Sequence, residues 1–402
     1  MKQHRFSLNA VQNLALSFTC IILLGGFLLM LPISSRSGQP LPFLDAVFTS
    51  ASAACVTGLV LYDTWTQFTF FGQAVILLLI QVGGLSFMTV TIFISMLLGR
   101  RIGLHSRAVL MDTVGALQMG GIVRLTRRIL TVTAVCEGVG ALLLLFWFCP
   151  RYGLRGVWMS IFHAVSAFCN AGFDLLGTGA SLTTVAGEPL LNIVLMALVL
   201  GTVAFFILEE DHAFAGVSRS QQLLMAAFQS VTPRTAGFNT ADLTALSESG
   251  KLLTMVLMLI GAGSGSTGGG IKINTFAVLV LTALARVRRR EDVELFGRRL
   301  DEGDIFKAFS VSIMYFMTCM LGCMVLCLDG ISMDAALFES LSAMGTVGLT
   351  LGVTPTLNTA GKIVVTLMMF AGRVGSMSVL MAMVKDRPAP KLRRIPEKIL
   401  IG

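Results

Sequence analysis

Long apolar runs alternate along this chain with short clusters of Arg and Lys. Seven runs approach or exceed the roughly 20 residues that cross a bilayer: Leu14–Leu31, Phe70–Leu98, Ile129–Phe148, Leu190–Leu208, Leu252–Ala285, Ile305–Leu328 and Ile363–Val384. The fifth is broken by a glycine-rich stretch. Between them lie four shorter apolar segments, Leu44–Val56, Val157–Cys169, Leu223–Val231 and Ala335–Met344, each followed by a Gly-containing stretch. These are too short to span and read as buried or re-entrant helices. Non-helical backbone at membrane depth persists only where protein buries it or where it lines water. The pattern predicts an all-α polytopic membrane protein whose half-helices end in irregular loops around a pore.

Charge orients this arrangement. Arg100, Arg101, Arg107, Arg124, Arg127 and Arg128 follow the second run. Arg286, Arg288, Arg289, Arg290, Arg298 and Arg299 follow the fifth. Lys385, Arg387, Lys391, Arg393, Arg394 and Lys398 fill a tail, 385–402. Cations in such loops mark the cytoplasmic side. The segments bearing the short helices carry Asp63, Asp174, Asp242, Asp334 and Glu339 and face outward, with Trp65, Trp147 and Trp158 near that boundary.

Composition agrees: 402 residues, 55% hydrophobic, 13% charged, mean hydropathy +0.82. Too little charge is present to clothe a soluble surface. The net charge of +8 sits between apolar runs rather than on a basic folded face, so nucleic acid is not an expected partner. Cys319, Cys323 and Cys327 share one helix face, but no His or acid nearby in sequence completes a metal set. Lys2 and Arg5 precede an apolar run without a cleavage site, which reads as an uncleaved first helix.

Aligned on one glycine, the short segments repeat. Ser52-Ala53-Ala54-Cys55-Val56-Thr57-Gly58, Ser166-Ala167-Phe168-Cys169-Asn170-Ala171-Gly172 and Ser342-Ala343-Met344-Gly345-Thr346-Val347-Gly348 all begin Ser-Ala six residues before it. Val231-Thr232-Pro233-Arg234-Thr235-Ala236-Gly237 keeps only the ending. Four parallel repeats of helix, loop and helix follow. A helix C-cap also favours Gly, yet four loops with shared flanks point to a carbonyl-lined filter, where Gly reaches unusual torsions and carbonyls replace the hydration shell of potassium. Asp63, Asp174 and Asp242, just past the glycines, are either cation-concentrating groups at the outer mouth or solvated loop charge.

These residues resemble the Trk/Ktr/HKT superfamily of cation transporters, and within it the membrane subunits of bacterial Ktr potassium uptake systems. Further points of likeness are Gln81-Val82-Gly83-Gly84-Leu85, His163 through Phe173, Ser230 through Thr240, Leu295-Phe296-Gly297-Arg298-Arg299 and Ile395 through Gly402. The resemblance implies a filter of Val56, Thr57, Gly58, Asn170, Ala171, Gly172, Thr235, Ala236, Gly237, Thr346, Val347 and Gly348, with potassium at its carbonyls as cargo. Gly58, where sodium-preferring relatives carry Ser, implies potassium. It also implies sodium as a stimulating or coupling ion, a homodimer, a cytosolic nucleotide-binding regulatory ring of the Ktr type, and a multi-pass location in a bacterial cytoplasmic membrane. No bound cofactor is expected.

The stretch Gly263, Ser264, Gly265, Ser266, Thr267, Gly268, Gly269, Gly270 and Lys272 contains G-x-G-x-x-G, but no strand–helix unit surrounds it, and Ile271 stands where a phosphate-binding loop needs Lys. By resemblance it is an intramembrane gate, with Arg373 in the last span forming the barrier under the filter. Arg373 as a cap for carbonyls of a neighbouring helix is the alternative.

Gly58 to Gly172 is 114 residues and Gly237 to Gly348 is 111, but Gly172 to Gly237 is 65. The short interval holds only Leu190–Leu208, long enough for one crossing and not two. We expect one membrane domain over 1–402, with repeats about 8–98, 128–198, 199–286 and 305–384. The junction of the second and third is shortened by a deletion that fuses their inner and outer helices. No catalytic constellation is present: His163 begins a short helix, and His4, His105 and His212 are isolated. Potassium uptake is the reading; a secondary transporter of another solute, or a non-conducting remnant, is the alternative.

Overall fold

The computed structural model describes residues 10–85, 122–177, 213, 218–261, 268–290, 292–295 and 298–375. The run Leu190–Leu208, residues 262–267 and the tail 385–402 lie outside the described residues.

The chain is mostly helical. Long helices are α1 (Ala10–Met30), α4 (Phe70–Gly84), α5 (Ile122–Tyr152) and, later, α10 (Glu302–Leu328) and α12 (Thr359–Val374). The predicted half-helices are α2 (Phe43–Ala54), α6 (Arg155–Phe168), α7 (Arg219–Val231) and α11 (Met333–Gly345). One short turn, α3 (Thr64–Gln67), precedes α4. The broken fifth run is two helices, α8 (Glu248–Leu259) and α9 (Ile273–Val287). A two-stranded antiparallel hairpin, β1 (Glu294–Leu295) with β2 (Arg298–Arg299), was not expected; it stands in the basic segment between α9 and α10. Among the described residues two helices, Leu130–Tyr152 and Glu302–Leu328, are long and apolar enough to cross a membrane.

Caps set the helix starts. The side chains of Asp63, Thr69, Ser247, Asp301 and Asn358 each accept a backbone N–H of the first turn, replacing a partner the helix cannot supply. Ser218 and Gln221 cap α7 reciprocally.

The half-helices are buried at the centre and the long helices pack outside them. In α2 and α11 almost every residue after the first turn is buried, including Ser50, Ser52, Ser340 and Ser342. The long helices instead expose Leu24, Phe146, Phe306, Leu321 and Leu367. Apolar side chains facing outward and small polar ones facing inward invert the pattern of a soluble protein. Helix contacts run from α4 to α6, from α8 to α11, and from α12 back to α2. The last seam is clamped by an ion pair: Lys362 Nζ lies 2.5 Å from Asp45 Oδ1, while the Tyr62 hydroxyl donates to Asp45 Oδ2 at 2.5 Å.

Candidate functional site

The four loops share one backbone pattern. Val56, Asn170, Thr235 and Thr346, each two residues before its glycine, adopt positive φ of 56°, 58°, 77° and 51°. Gly58, Gly172, Gly237 and Gly348 follow with φ of 92°, 69°, 74° and 90°. Thr57, Ala171, Ala236 and Val347 between them are not left-handed. Left-handed residues other than Gly are uncommon, and four at one alignment position are not coincidental. Alternating handedness turns successive peptide groups the same way, so carbonyls line one side of each loop.

The glycines interlock. A Cβ added at Gly58 would lie 2.5 Å from Ala171 O, and one at Gly172 would lie 2.9 Å from Gly237 O. At Gly237 it would lie 2.5 Å from Val347 O, and at Gly348 it would collide with Thr57 O. Each loop abuts the next and the fourth abuts the first, closing a ring in chain order. The ring is made by the four loops that carry the twelve residues expected in the filter, with Thr57, Gly58, Ala171, Gly172, Gly237, Val347 and Gly348 at the contacts. Glycine is required on two counts, torsion and space.

Hydroxyls fasten the ring from behind. Ser52 Oγ accepts the Gly58 N–H, and Ser342 Oγ accepts the Gly348 N–H, both at 3.1 Å. Ser166 Oγ both donates to Phe173 O at 2.7 Å and accepts from Phe173 N at 3.1 Å. These are the serines of the Ser-Ala signature, whose purpose the alignment alone did not show. The third loop lacks that serine, and Thr232 one residue later donates to Phe238 O at 2.5 Å.

Two further fastenings were not visible in the sequence. Glu339, read among the outward acids, is fully buried and accepts from Thr350 Oγ1 at 2.7 Å and from Thr354 Oγ1. His163 lies inside α6 rather than at its start and is fully buried. Its Nδ1 meets Met159 O at 2.7 Å and its Nε2 meets the Leu175 N–H at 3.3 Å. Both bonds are satisfied with the proton on Nδ1. Glu339 and His163 each stand nine residues before their glycine, a shared position held by different chemistry.

Beneath the ring, backbone bonds between Gly261 N and Ile271 O (2.9 Å) and between Ile271 N and Leu259 O (3.1 Å) tie the end of α8 to the residues that precede α9. Gly268 approaches Thr235, Gly269 approaches Gly345 O, and Gly269 N donates to Thr346 Oγ1 at 2.7 Å. Lys272 Nζ donates to Gly268 O. Gly263, Ser264, Gly265, Ser266 and Thr267 lie outside the described residues. The Arg373 guanidinium donates through Nη2 to Gly83 O at the end of α4, and its Nη1 is buried without a partner. Gly83 and Gly372 lie against Ala54 O and Met344 O, carbonyls that end α2 and α11.

At the outer side, Asp63 and Asp242 cap helical turns by accepting from Thr66 N (2.8 Å) and Thr244 N (2.9 Å). Asp174 accepts from Leu176 N at 3.0 Å. Burial pushes the Asp174 carboxyl up to about 6, opposed by that bond and reinforced by the charge of Asp63. These acids thus have local structural duties.

A family model described as cation transport protein TrkH matches residues 3–211 and again 189–395. Ktr system potassium uptake protein B of Bacillus subtilis is 37% identical over 416 aligned positions, covering 93% of each chain. Potassium/sodium uptake protein NtpJ of Enterococcus hirae is 36% identical over 448 aligned positions, covering 100% of this chain and 99% of its own. The crystal structure of the potassium transporter TrkH from Vibrio parahaemolyticus superposes with a TM-score of 0.73 at 17% identity, over 95% of this chain and 87% of that one, which speaks for the fold. By family model and by relatives along nearly its whole length, the chain belongs to the TrkH family of cation transport proteins.

Proposed function

We propose that this chain takes up potassium across a cytoplasmic membrane, through a selectivity filter formed by the four interlocked loops. The observation that carries the reading is the closed ring of glycines with alternating torsion. Such loops present carbonyl oxygens in rings, which replace the hydration shell of a potassium ion at little reorganisation. The relatives named for potassium uptake support the same cargo. The chemistry is coordination and release, so no covalent step is required and no enzyme activity is assigned. The glycine-rich stretch with Lys272 and Arg373 is the gate: Lys272 and Arg373 put cationic groups under a pathway for cations, a barrier that must shift for an ion to pass.

The pore is read as four repeats, about 8–98, 128–198, 199–286 and 305–384, with the second and third fused. Two observations support the fusion. Residues 189–211 fall within both family-model matches. The Enterococcus alignment needs 448 positions for the 402 residues here, so about 46 positions of that relative have no counterpart in this chain. That is close to the shortfall between Gly172 and Gly237. Sodium stimulation, a homodimer and a cytosolic nucleotide-binding regulatory ring, with Leu392–Gly402 at an interface, extend the proposal by resemblance.

The test is potassium uptake by a bacterium stripped of its own uptake systems and expressing this chain. Growth at limiting potassium supports the reading. Protein in the membrane without uptake would instead favour a remnant that keeps the ring but has lost the path.

A further inference from the structure

Between the first and second loops, on the outer face, a cavity of about 550 Å³ is lined by Arg36, Arg155, Trp65, Trp158 and Gln73 among others. Its walls are held in place by a buried amide. Gln73, 1% exposed, accepts from Trp158 Nε1 at 2.9 Å and donates to Phe68 O at 3.0 Å. Phe68 O also accepts from Arg36 Nε at 3.1 Å, and the Arg36 guanidinium lies 4.5 Å from the centre of the Trp65 ring. Arg155 opens α6, where the helix dipole is positive. Among the described residues neither arginine is ion-paired with a carboxylate. Two guanidiniums on one cavity with no acid call for an anion.

The border of the cavity is apolar and open. Leu154 is 92% exposed and Phe70 is 65% exposed, with the Phe70 ring 4.4 Å from that of Trp158. Tryptophans at this level mark the headgroup region of a bilayer. An anion site bordered by apolar surface fits an amphiphile, and bidentate guanidinium recognition fits phosphate.

We propose that this pocket binds the phosphate of an outer-leaflet phospholipid. Arg36 and Arg155 take the phosphate oxygens, while Phe70 and Leu154 meet the acyl chain. The lipid joins the first loop region to the second, because Trp65 packs on Gly177, five residues past Gly172. Free phosphate would offer the same anionic group, but it has no use for the apolar border.

The test is native mass spectrometry of the full chain in detergent, titrated with dioleoyl phosphatidylglycerol, with diolein, and with inorganic phosphate. It does not depend on ion flux, so its failure is distinct from failure of the uptake reading. The expected result is one tightly held phosphatidylglycerol, no comparable diolein binding, and about tenfold weaker lipid binding in Arg155→Gln. Arg155 is exposed, so this variant keeps the fold; the Arg36→Gln, Arg155→Gln double variant should lose the site. Displacement of the lipid by millimolar inorganic phosphate would overturn the lipid reading in favour of free phosphate. Lipid binding unchanged in both variants would overturn the site altogether.

Discussion

In the fourth loop the Ser342 side chain accepts the Gly348 N–H at 3.1 Å, while Val347 N bonds Ser342 O at 2.8 Å. In the third, the Gly237 N–H reaches only a backbone oxygen, Thr232 O, at 3.4 Å, and the Thr232 hydroxyl holds the next carbonyl instead. Yet Thr346 and Thr235, and Gly348 and Gly237, share the same left-handed torsions. The ring therefore demands a backbone path and a glycine, whereas the fastening behind it is free to vary. The third loop also adjoins the 65-residue interval, and its glycine is the more loosely fastened of the two.

The strongest challenge to this comparison is Gly348→Ala beside Gly237→Ala. Both place a Cβ on a left-handed backbone against a neighbouring loop. Uptake should fall about a hundredfold or more in each, because a filter distorted on one side loses its coordination. Tolerance of Ala at 237 alone would show that the third loop stands outside the ring.

Next comes the seam between the first and fourth loops. Asp45→Ala leaves the half-buried Lys362 without its partner, which should cost about 2 kcal/mol, read as a lower midpoint in detergent unfolding. An unchanged midpoint would mean that the clamp does not hold the ring.

The fastenings themselves should rank by what they leave unpaired. Ser342→Ala strips the Gly348 N–H of its partner, a buried donor worth about 1–3 kcal/mol, so potassium over sodium selectivity should drop about tenfold. Thr232→Val leaves the Gly237 N–H bonded and should cost under about threefold. A larger effect at Thr232 than at Ser342 would invert the comparison.

The smallest effect is at the mouth. Asp174, with its carboxyl raised to about 6, is charged above that pH and neutral below it. As external pH falls through about 6, uptake at limiting potassium should weaken about twofold, and Asp174→Asn should remove that dependence. A variant that keeps the same pH profile would exclude Asp174 as its source.

Much of this was legible in the sequence, because its signals are local. The helix runs, the half-helices and the aligned glycines all appear within short windows. The Ser-Ala pair was legible as a pattern but not as a fastening, since the bond depends on the loop folding back on its own helix. Nothing local links Asp45 to Lys362, 317 residues apart. Nor does local composition separate Glu339, bonded inside the protein, from Asp63 at a helix start: both are single acids near a glycine. The bonds of His163 are hidden for a related reason, because one isolated His gives no sign of the Leu175 N–H it meets. The hairpin Glu294–Arg299 was missed because two-residue strands leave almost no periodicity.

If four unequal loops make one potassium filter in this chain, ion preference must depend on each of them. The most direct measurement is tracer flux into liposomes containing only the purified protein, with potassium and sodium in competition, for the natural chain and for Gly348→Ser. The flux should prefer potassium in the unaltered chain and lose that preference in the variant. Flux with equal preference in both proteins, or none in either, would contradict it.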